Sequence, residues 1–125
     1  MDKLKQEWNL RDCNEKLAIK QKELSLLEQS LPDLQEIFDI SEHKLELKEN
    51  ELSLQIETNN EKMSDKKIMT RVIVNNDYQL LKAEYIIAKS KLYKCKTEIG
   101  RLYKELKTLE QMARNISMEI KYQLR

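Results

Sequence analysis

The stretch LYKCKTEIGRLYKELKTL, residues 92–109, sets Leu92, Cys95, Ile99, Leu102, Leu106 and Leu109 at alternating steps of three and four. That spacing keeps every one of these side chains on a single stripe of an α-helix, the pattern of a seam between helices. Followed outward, the a row reads Tyr78, Tyr85, Leu92, Ile99, Leu106, Ala113 and Ile120, and the d row Leu81, Ala88, Cys95, Leu102, Leu109 and Ile116. The same repeat occupies the first half. Counting in sevens from Leu10 gives Leu17, Leu24, Leu31, Phe38, Leu45 and Leu52, with Cys13, Lys20, Leu27, Leu34, Ser41, Lys48 and Gln55 three residues further on.

The two halves do not share a heptad phase, so the repeat is reset between about residues 56 and 77. One explanation is a stutter in one continuous helix of about 190 Å, paired in a parallel or hetero-oligomeric coiled coil. The other is a turn that folds the chain into an antiparallel helical hairpin with arms of about 90 Å. Asn59-Asn60 suits a helix end and Ser64-Asp65 suits the cap of the next helix. The sequence therefore predicts an all-α chain of long coiled-coil helices, most simply a hairpin. Its first arm would be 1–58, its turn or register break 59–67 and its second arm 68–125.

Composition agrees. Charged residues make up 36% of the 125, yet there is one glycine and one proline, too few for the turns of a compact globule. Residues 1–66 carry 10 Lys/Arg against 16 Asp/Glu, and residues 67–125 carry 13 against 6. An acidic half and a basic half attract when laid antiparallel. Matching core residues whose numbers add to about 133 puts Leu52 opposite Leu81, Phe38 opposite Cys95, Leu24 opposite Leu109 and Leu17 opposite Ile116. Lys20 and Lys48 would then face Ala113 and Tyr85, their stems in the seam and their ammonium groups in water. A slide of one heptad gives a nearly equal list.

The leucine row passes through Pro32 unbroken, so the proline predicts a kink in the first arm and no domain boundary. Ser30 is placed to cap the restart. In the register above, Pro32 and the lone Gly100 would lie across from each other and form a joint.

A second apolar stripe decides the functional expectation. Position c of the first half reads Asp12, Ile19, Leu26, Asp33, Ile40, Leu47 and Leu54, with Ile37 beside it; in the second half Leu80 and Ile87 begin the corresponding row. Two-stranded coils leave c wet, so Ile37, Ile40, Leu47, Leu54, Leu80 and Ile87 predict a partner-binding face that packs on further helices. The expected partners are other coiled-coil proteins or a second copy, in a dimer or four-helix assembly. Heptads over nearly the whole chain resemble the coiled-coil segments of cytoskeletal, ciliary, centrosomal and chromosome-organising proteins, a likeness of periodicity without a family-specific motif. It implies a structural or scaffolding role in the cytoplasm or on the cytoskeleton, with the nucleus as an alternative.

The basic run 89–107 supplies the rival reading. Lys89, Lys94, Lys96 and Arg101, with Tyr93 and Tyr103 interleaved, suit a nucleic acid or another polyanion, although they point to several sides of the helix and the acidic arm could neutralise them. Enzymatic chemistry is not expected. His43 falls on the outermost heptad position without ligand partners, the carboxylates alternate with lysines as on a solvated face, and Gly100 supplies no phosphate loop. No cofactor, metal, small-molecule substrate or membrane contact is expected. Cys13 and Cys95 fall on seam positions and read as small reduced core residues. Trp8 lies off the heptad, where it would pack on its own helix or, alternatively, anchor a partner near the terminus.

Overall fold

The computed structural model describes residues 3–59 and 64–123. Among these residues there are three helices and no strand: α1 spans Lys3–Asn59, α2 Asp65–Ile73 and α3 Asn76–Gln123. Long runs of Leu, Glu, Lys and Gln, each with little to lose in a helix, account for the lengths of α1 and α3. The chain is all-α, as its periodicity predicts.

α1 contains Pro32 without a break in the helix. Ser30 does not cap a restart as expected. Its hydroxyl donates back to the Leu27 carbonyl at 2.9 Å, the bond of a residue inside a helix. The Cys95 thiol donates to the same carbonyl at 3.6 Å.

The reset between the halves holds more structure than the sequence suggested. Residues 60–63, in the middle of the expected 59–67 turn, lie outside the described residues. Ser64 is the N-cap of α2, its hydroxyl accepting from the Lys67 N–H at 3.4 Å. α2 ends at Ile73, and α3 starts afresh at Asn76, where the Asn75 side chain accepts from the Tyr78 N–H at 3.1 Å. Two N-caps within twelve residues explain why the heptad phase changes here: α3 sets a new phase from its own start.

By its contacts the chain divides across the arms rather than along them. One unit joins Met1–Leu31 with Cys95–Arg125, and the other is Pro32–Lys94. The division falls between Leu31 and Pro32, while α1 itself continues through it. Pro32 and Gly100 belong to different units. A side chain built on Gly100 would meet nothing within 4 Å, so no neighbour requires glycine there and the expected joint finds no support.

In the first unit, buried Leu24, Leu102 and Leu106 form a core with Leu17, Leu27 and Ile99 packed against it. Leu102 is 1% exposed. Around this core Gln6 donates to Glu119 at 3.0 Å, the Cys13 thiol to the Leu109 carbonyl at 3.2 Å, and Lys20 pairs with Glu105 at 3.1 Å. In the second unit Leu45, Leu52, Ile68, Val72 and Tyr78 form the core, with Ile56, Leu81 and Tyr85 at its edge. Ile68 and Val72 sit four residues apart on one face of α2, so this short helix contributes a buried wedge, and fully burying each is worth about 1.5–3 kcal/mol.

Partner numbers on α3 fall as those on α1 rise. Gln6–Glu119, Cys13–Leu109, Lys20–Glu105 and Leu27–Cys95 add to between 122 and 125, and in the second unit Phe38–Tyr85 and Lys48–Asp77 add to 123 and 125. Within each unit these sums lie 8–11 below the 133 expected, nearest to the register one heptad lower, 126. Lys20 pairs with Glu105 where Ala113 was expected, Lys48 pairs with Asp77 where Tyr85 was expected, Phe38 packs on Tyr85 at 5.5 Å, and Leu24 packs with Leu102 and Leu106 where Leu109 was expected. A slide of seven residues leaves the apolar matching nearly unchanged. The observed register also gives each seam lysine a carboxylate across from it, which lowers the cost of half-burying the charge.

Candidate helix-docking face

The expected seam and the expected stripe differ in exposure on the same helices. Each expected seam residue is buried (Leu24, Leu45, Leu52, Leu92, Leu102, Leu106) or half-buried (Leu17, Leu31, Phe38, Leu81, Ile99, Leu109, Ile116). Each residue of the expected partner face is exposed, from 47% at Ile40 to 66% at Leu80. All six, Ile37, Ile40, Leu47, Leu54, Leu80 and Ile87, belong to the second unit.

An open groove of about 400 Å³ runs through this face. Ile37 and Ile40 of α1 and Ile87 of α3 line it, over half-buried Leu34 and buried Ala88, with exposed Lys44, Glu84 and Lys91 beside them. Leu47 was expected at the height of Ile87, and Leu54 at that of Leu80. The one-heptad shift instead brings Ile87 level with Ile40, and by the same shift Leu47 level with Leu80. Ile73, Val74 and Ile86 add exposed apolar surface to this unit. The run Val72-Ile73-Val74 was the available signal, since three apolar residues in a row cannot all face one core.

In the first unit Ile19 and Leu26 continue the stripe along α1, each 58% exposed. There α3 offers Arg101 and Thr108 at the corresponding positions, so the apolar surface is one-sided. Trp8 stands 63% exposed.

The four residues expected to contact a polyanion are not equivalent. Arg101 is committed to its own helix, with Glu98 at 2.7 Å on one side and Glu105 on the other. Hydrogen bonds to these carboxylates raise its pKa; its bond lowers that of Glu98, and Lys20 first and Arg101 second lower that of Glu105. Lys89 lies 5.8 Å from the Tyr85 ring centroid, beside Lys82 at 5.1 Å. Lys94 and Lys96 are exposed and make no ion pair among the described residues. Lys89 and Lys94 belong to one unit, Lys96 and Arg101 to the other.

Other chemistry is sparse. Among the described residues no three His, Cys, Asp or Glu side chains gather as metal ligands, and His43 is exposed. Cys13 and Cys95 are buried and unpaired with each other. No described helix is long and apolar enough to cross a membrane. Comparison with protein-family models, with curated proteins and with solved structures found no match.

Proposed function

We propose that the chain is an antiparallel helical hairpin of coiled-coil type and serves as a structural or scaffolding subunit, docking further helices on the apolar face of its second unit. One observation carries the reading: Ile37, Ile40, Leu47, Leu54, Leu80 and Ile87 remain about half exposed or more along one face of helices whose seam is already filled. Fully burying such a side chain is worth about 1.5–3 kcal/mol, so covering the exposed half of six contributes roughly 4–9 kcal/mol before the cost of association. A surface of that kind favours helical partners, because a helix lays its own stripe into such a groove. Because its heptads resemble those of cytoskeletal, ciliary, centrosomal and chromosome-organising coiled coils, the proposed role is in an assembly of that type, without enzymatic activity.

A photo-crosslinking amino acid at position 47 tests it in cells, with position 46, exposed on the same helix but off the stripe, as control. Strong adducts from 47 to helical proteins, its own chain included, and few from 46 support docking. Equal yields at the two positions defeat it.

A further inference from the structure

We infer that the occupant of this face is a second copy of the same chain, docked about a two-fold axis parallel to the helices, so that α1 of each copy lies against α3 of the other. The inference rests on the docking role proposed above and adds the identity and orientation of the partner.

The first argument is charge. Within the second unit, residues 32–59 of α1 carry eight Asp/Glu and two Lys/Arg, a net of −6, whereas residues 64–94 carry three and seven, a net of +4. The face therefore has one acidic and one basic edge. A two-fold axis parallel to the helices exchanges these edges and lays acid on base. An axis lying in the interface but perpendicular to the helices lays α1 on α1 and α3 on α3, like on like. A surface whose two edges are opposite in sign is complementary to its own two-fold mate.

The second argument is local. Lys44 and Glu84 line the same groove, and neither makes an ion pair within the chain among the described residues. With the axis along the helices, Lys44 meets Glu84 of the second copy and Glu84 meets its Lys44. With the perpendicular axis each meets its own kind. Two unpaired opposite charges beside an apolar groove thus select the orientation that net charge selects.

Size sets the strength. The stripe from Ile37 to Leu54 spans 18 residues, about 26 Å from first to last, and two helices are about 20 Å wide, giving roughly 500 Å² on each copy. A total of about 1,000 Å² is at the lower edge of specific interfaces, which implies a dimer of about micromolar affinity.

Sedimentation equilibrium of the full chain at low salt tests this. The wild type should dimerise at micromolar concentration. Lys44→Glu and Glu84→Lys should each weaken the dimer about tenfold, since each reversal turns two symmetric attractions into repulsions. The double variant should return to within about threefold of wild type. Ile40→Glu should abolish dimerisation while circular dichroism keeps its helical amplitude. A wild type still monomeric at about 100 μM overturns the inference, and so does a dimer that neither single reversal weakens. If the chain proves monomeric, adducts from position 47 to a different protein leave the docking role standing; their absence removes both.

Discussion

Substituting alanine for Leu102 and, separately, for Leu26 asks whether the first unit holds its core where the contacts place it. Both are leucines in the same unit, and both sit in helices. Leu102 is 1% exposed and packs with Leu24 and Leu106; Leu26 is 58% exposed. Leu102→Ala removes three carbons from a closed site, a transfer loss of about 2.4 kcal/mol at 0.8 per carbon. The cavity left behind raises the expected cost to about 3–4 kcal/mol. At Leu26 less than half of that surface is removed from water, and alanine is a slightly better helix former, so the expected cost is under about 1 kcal/mol. Urea unfolding followed by far-ultraviolet circular dichroism, at dilutions where the wild type is monomeric, measures both. Equal costs would mean that Leu26 is core too, and the division between seam and stripe would be refuted.

Two other outcomes follow from particular residues. α1 runs through Pro32, and proline inside a helix is about 3 kcal/mol less favourable than alanine, so Pro32→Ala should raise the unfolding midpoint by the equivalent of about 1–3 kcal/mol; a lower midpoint would mean that the native backbone there depends on proline's fixed φ. Glu98 and Glu105 have lowered pKa values, so the stability their pairs contribute is fully present above the ordinary glutamate value of 4.5 and is lost as pH falls through the lowered folded values. Glu105→Gln should flatten that acid limb by a small amount, because the pair is partly exposed, and an unchanged acid limb would show that Lys20 and Arg101 do not hold this carboxylate in solution.

Much of the fold was legible because it is local. A residue's position in the heptad depends only on its neighbours along the chain, so Leu24, Leu102 and Leu106 could be assigned to the seam, and Leu47 and Ile87 to an outer stripe, without knowledge of what faces them. The start of α3 was legible in principle: Asn75-Asn76-Asp77 is a cap signal just before Tyr78, overshadowed by the stronger pair Ser64-Asp65. The packing of α2 was not, since the nine residues Asp65–Ile73 are too few to show a heptad and their buried face is only Ile68 and Val72.

The sequence by itself determined that the chain is helical, and its periodicity marked one apolar stripe as the expected seam and another as left over. Register was decided by tertiary structure. A heptad repeat maps onto itself when slid by seven, so core matching is nearly degenerate, and single long-range contacts such as Lys20 with Glu105, Lys48 with Asp77 and Phe38 with Tyr85 break the tie. The same physics decided that Arg101 is neutralised by Glu98 and Glu105 while Lys44 and Glu84 stay unpaired beside a groove: charge is abundant everywhere in this sequence, and only packing says which charges have already met.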